Sequence, residues 1–138
     1  MNGIATNKTI TQQVFNDLVA RISTIQLDFP VKSDEITPTM HMTLQQVSLY
    51  LQQLTQLAEQ LELNIGLLVI GSSDNTGNRI NNTRLSLQRA KNTGKVLNEL
   101  GFNEQNMFIT GLGQIEIIKV KNQARKVMFN VLSVKKNN

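Results

Sequence analysis

The chain has 138 residues, 40% of them hydrophobic and 17% charged, which fits one globular domain with its own core and excludes a disordered chain. It contains no cysteine and a single histidine, His41, which removes thiol chemistry and cysteine-ligated zinc and argues against most metal sites and against Ser-His or Cys-His nucleophiles. The net charge is +4, but with one tyrosine and no tryptophan there is no aromatic interleaving to stack bases, so no nucleic-acid partner is expected.

Residues 1–8 are polar and are expected to be loose. Thr9 or Thr11 is a candidate N-cap for a helix that carries Val14, Phe15, Leu18, Val19 and Ile22 on one stripe. Residues 1–23 thus read as an N-terminal segment and helix ahead of a domain over residues 24–138. The first strand is expected at residues 24–29, closed by Pro30. Thr37-Pro38 pairs a capping residue with a proline at the first helical position, and the helix is expected to run to about Leu61. Its buried face would carry Val47, Leu51, Leu54, Ala58 and Leu61, with the glutamines in solvent and His41 an ordinary helix residue.

The apolar run 65–70 reads as the next strand. A further helix is expected from about Asn82 to Leu100, ended by Gly101. Gly94 inside it costs about 1 kcal/mol relative to alanine, so packing has to hold this helix. Another strand is expected at residues 106–110, ending in Gly111-Leu112-Gly113-Gln114, and residues 115–118 are also strand-like. A last strand starts at residues 124–127 and continues through 128–134. After Glu116 every charged residue is basic, from Lys119 to Lys136, a pattern that usually marks a solvated edge or terminus.

No run is long and apolar enough to span a membrane, and residues 1–11 lack the apolar core of a signal peptide. The order of elements predicts an α+β fold, a two-layer sandwich of βαβαββ type, with a mixed sheet, helices on one face and an additional N-terminal helix.

The stretch at residues 71–90, GSSDNTGNRINNTRLSLQRA, joins the end of a strand to a turn and a helix. Asp74 falls in the turn and Arg89 in the helix, near the carboxyl end of a central strand, where open α/β sheets bind ligands. Two readings fit this spacing. In one, the carboxylate and the guanidinium grip the ammonium and carboxylate of an amino-acid headgroup. In the other, Asp74 caps the turn, while Arg89 is solvated or pairs with Asp74 as a structural contact.

The wording of the stretch favours a ligand. Gly71-Ser72-Ser73-Asp74-Asn75-Thr76-Gly77 and Asn82-Thr83-Arg84-Leu85-Ser86-Leu87-Gln88-Arg89-Ala90 resemble the two halves of the signature of the OmpA-like C-terminal domain family, at that family's own separation. The resemblance covers residues 24–134. It implies the same α+β architecture and non-catalytic binding of peptidoglycan, with Asp74 and Arg89 holding the free amino-acid end of diaminopimelate in the stem peptide. Asn82 and Ser73 would take supporting positions, and Arg125, at the start of the last strand, would reach the pocket's rim.

The implied setting is the periplasm, in a domain that anchors a larger envelope protein, outer-membrane proteins being among the family's members. No cofactor or metal is implied, and any membrane contact would come through segments outside this chain. No second carboxylate accompanies Asp74 in the motif for acid–base work, so an enzyme is not expected. Pro30 and Val31 stand where the family carries small polar residues, and the loop after Gly113 is shorter than usual. These departures motivate an alternative: a structural or assembly module of an envelope complex that contacts envelope protein partners and has lost wall binding.

Overall fold

A computed structural model of the chain describes residues 3–74, 78–114 and 124–137. Their elements are α1 (Gly3–Ser23), β1 (Gln26–Asp28), α2 (Pro38–Gln60), β2 (Leu63–Ser73), α3 (Arg79–Glu99), a 3-10 turn (Glu104–Asn106), β3 (Met107–Gln114) and β4 (Lys126–Lys135). The strands form one mixed sheet in the order β1-β4-β2-β3. β2 and β3 run parallel, with Leu67 opposite Met107, and β4 is antiparallel to both β2 and β1. The predicted turn residues 75–77 and the strand-like run 115–118 lie outside the described residues.

Alternation along the strands separates two faces. Leu67, Val69, Val127 and Phe129 point to the helices and are buried with Leu44, Val47, Leu51, Leu54 and Leu97 in one core. The opposite face is open and exposes Phe108, Leu112, Leu132 and Val134. The expected α+β sandwich, with helices on one face and an N-terminal helix, is the fold the chain adopts.

Helix α2 follows its local signals. The Thr37 side chain accepts from the Met40 N–H, Pro38 opens the helix, and Met40 and Leu44 extend the expected buried stripe at its N-terminal end. Helix α1 starts earlier than its composition suggests. Neither Thr9 nor Thr11 is its cap, because both lie inside the helix and Thr11 Oγ1 donates back to Asn7 O at 2.8 Å. Phe15 and Ile22 enter the core, whereas Val14, expected on the same stripe, is 43% exposed because it sits on the stripe's outer edge.

Helix α3 also begins before the expected Asn82. Asn78 is its N-cap, with Oδ1 accepting from the N–H groups of Ile80 and Asn81. Gly94 has a reason to be there: a Cβ at that position would lie 2.8 Å from Ile109 Cδ1, so glycine lets α3 settle onto β3.

Candidate functional site

The carboxyl end of β2 is where α3 crosses the sheet most closely. A Cβ on Gly71 would lie 1.8 Å from Ser86 O, and one on Gly111 would lie 2.6 Å from Leu87 N. Ser86 fits this crossing because its hydroxyl donates to Thr83 O and accepts from Gly113 N–H at 2.9 Å. Ser73 Oγ donates to Asn82 O at 3.2 Å and also to Asp74 O, so the end of β2 is tied to the first turns of α3. The small residues of the motif therefore set the distance between strand and helix, and that distance fixes where Asp74 and Arg89 stand.

Arg89 is fully buried, at 0% exposure. Its guanidinium spans two elements: Nε donates to Ser33 O at 2.8 Å, Nη2 to Pro30 O at 3.1 Å, and Nη1 to Ser72 O at 3.0 Å. The face of the group lies over the Phe29 ring, with Cζ 5.2 Å from its centroid. Two N–H groups, one on each terminal nitrogen, have no acceptor among the described residues. Burial lowers the pKa to about 10, while the nearby Asp74 and Asp34 act in the opposite sense, so the group is charged at neutral pH.

Asp74 is 4% exposed, and Arg125 is in contact with it. Arg125 Nη1 donates to Asp74 Oδ2 at 3.0 Å and its Nε donates to Phe29 O at 3.0 Å, while its backbone carbonyl accepts from Phe29 N–H. Arg125 is thus a full member of the group rather than a residue of the rim. Phe29 sits between the two arginines, its ring under one and its backbone held by the other. Asp74, Arg89, Ser73, Asn82 and Arg125, all selected from the sequence, are brought to one end of the sheet.

Beside them opens a cleft of about 540 Å³ between the β1–α2 loop and α3, lined by Lys32, Asp34, Asn78, Asn81, Asn82, Arg84, Leu85 and Gln88. Asn82 is the sole sequence-selected residue in that lining, and its neighbours were missed. The signal that could have found them is the turn at Pro30, closed by Ser33 N–H to Pro30 O, in which Lys32 takes a positive φ of 60°. Among the described residues no group of acidic, histidine or cysteine side chains is placed to hold a metal ion, and no helix is long and apolar enough to cross a membrane.

A buried carboxylate and a buried guanidinium thus stand at the carboxyl end of β2, beside a polar cleft, in an α+β domain. The sequence profile of the OmpA family matches residues 29–130, and the chain belongs to that family.

Solved structures share the fold. The peptidoglycan-associated lipoprotein of Burkholderia pseudomallei superposes with a TM-score of 0.66 at 21% identity, covering 78% of this chain and 89% of that one. The periplasmic domain of Helicobacter pylori MotB gives 0.64 at 18% identity, covering 77% and 73%. The OmpA-like domain of FopA1 from Francisella tularensis gives 0.62 at 15% identity, covering 82% and 74%. No curated protein sequence matches the chain.

Proposed function

We propose that this domain binds peptidoglycan without catalysis and anchors a larger envelope protein to the wall in the periplasm. The ligand is the free amino-acid end of a diaminopimelate-type stem peptide. Asp74 accepts its ammonium, and the two remaining N–H groups of Arg89 take its carboxylate. Asn82 donates from the cleft wall, Ser73 holds the turn, and Arg125 orients the Asp74 carboxylate.

The observation that carries this reading is the placement of two opposite charges, 4% and 0% exposed, next to an open polar cleft. Membership of the OmpA family supports it, as does the likeness to a lipoprotein named for its association with peptidoglycan. Since both groups are buried, the headgroup reaches them by parting the β1–α2 loop from α3, which widens the cleft. A few charge-assisted hydrogen bonds, each contributing roughly 1.5–3 kcal/mol, give modest affinity per site, and several copies on one polymer would give firm anchoring.

One observation favours a second reading. Arg89 already bonds three carbonyls and Asp74 already pairs with Arg125, an arrangement that suits a structural module with no ligand. Sedimentation with insoluble sacculi separates the two. Wall binding predicts that the folded wild type pellets and that Asp74→Asn stays in solution with unchanged circular dichroism. A folded wild type that stays in the supernatant supports the assembly module.

A further inference from the structure

The buried pair leaves a question of charge: which cations can an anionic ligand meet before it reaches Arg89? Lys32 and Arg84 are exposed, line opposite walls of the cleft, and form no ion pair among the described residues. Other cations nearby have partners, Arg125 with Asp74 and Lys126 with Gln26 Oε1. Asp34 is the one carboxylate in the lining of the cleft, against the two cations. The charged side chains of the lining thus sum to a net positive charge, flanked by the amides of Asn78, Asn81 and Gln88.

Lys32 is held there at a cost. It occupies the third position of the turn from Pro30 to Ser33 at φ 60°, where glycine or asparagine is preferred and a long side chain is strained. Arg89 fixes the same turn through the Pro30 and Ser33 carbonyls. The residue that carries the buried charge therefore also presents an exposed one to the cleft.

We propose that the cleft between Lys32 and Arg84 is a carboxylate subsite, which takes an acidic residue of the wall peptide adjoining the headgroup and makes the domain selective for peptides in which that carboxylate is free. The proposal rests on the peptidoglycan reading and adds a specificity to it. A carboxylate on Lys32 and Arg84 gains charge-assisted hydrogen bonds near the surface, whereas the corresponding carboxamide does not. Discrimination of about 5- to 10-fold is expected, decreasing as salt is raised because both cations are exposed.

The test uses three probes with the whole chain in isothermal titration: diaminopimelate alone, a dipeptide of a glutamyl residue with a free carboxylate joined to diaminopimelate, and the same dipeptide as its carboxamide. The acid is expected to bind about 5- to 10-fold more tightly than the amide at low salt. In Lys32→Asn with Arg84→Gln that ratio should fall to about 1. Asparagine tolerates the positive φ, so the turn is kept, and circular dichroism checks the fold. Equal binding of acid and amide by wild type overturns the subsite, and so does a preference that survives the double substitution. Binding of diaminopimelate by itself would still leave the headgroup reading in place. If none of the three probes binds, the headgroup reading fails and the subsite fails with it.

Discussion

The two arginines at this end of the sheet do different work. Arg89 lies in the interior, three of its N–H groups spent on backbone carbonyls of the β1–α2 loop and β2. Arg125 lies nearer solvent, its side chain 19% exposed, and holds the Asp74 carboxylate. The motif pairs Asp74 with Arg89 by sequence, but the contacts pair Asp74 with Arg125 and give Arg89 the task of fixing the loop. A charge can therefore serve a site from the interior by holding its walls, while a neighbour nearer the surface holds the acceptor.

This contrast predicts a graded series. Arg89→Ala should have the largest effect, because it leaves partly buried carbonyls of two elements unsatisfied; a loss of about 3–5 kcal/mol is expected in urea unfolding. Arg89→Lys should recover only part of it, since a point charge cannot span three carbonyls. Gly71→Ala comes next, at about 2–3 kcal/mol, because its Cβ would meet Ser86 O at 1.8 Å and force α3 away from the strand. Arg125→Gln should cost about 1 kcal/mol, as expected for a partly exposed pair, and a loss as large as that of Arg89→Ala would erase the distinction between the two arginines.

The smallest effect is expected at Gly94. Alanine there gains about 1 kcal/mol in helix propensity and loses a similar amount by displacing the end of the Ile109 side chain, so the net change should stay within about 0.5 kcal/mol.

The contrast also has a pH signature. Burial lowers the pKa of Arg89 to about 10 in the folded chain, so its Nε resonance should titrate near that pH rather than in the ordinary arginine range. The folded value lies below the unfolded one. The unfolded chain therefore holds more protons above pH 10, and the contribution of this group to stability rises with pH there. Below pH 10 it should not change. An Arg89 resonance that does not move through pH 10 would show that burial leaves the guanidinium unperturbed.

How much could be read from the sequence follows the distance over which each signal acts. Thr37-Pro38 announces α2 because capping is local, and Gly101 closes α3 for the same reason. Helix α3 starts earlier than its apolar pattern indicates because the Asn and Gly residues of the turn conceal a capping role for Asn78. The site residues came from the motif, but their partners did not. Arg89 bonds carbonyls 56 and 59 residues away, and Arg125 meets Asp74 across 51 residues, separations that no periodicity encodes. Gly71, Gly111 and Ser86 were visible as motif letters, and their purpose as the crossing point of α3 over the sheet appears only in three dimensions.

The central claim is that the two charges form one site for an amino-acid headgroup, and a crystal structure of the chain with diaminopimelate tests it most directly. The account predicts the ligand ammonium within hydrogen-bond distance of the Asp74 carboxylate and the ligand carboxylate on the Arg89 terminal nitrogens, with the β1–α2 loop drawn away from α3. Diaminopimelate bound elsewhere, with Arg89 still enclosed and Asp74 still paired with Arg125, would contradict it.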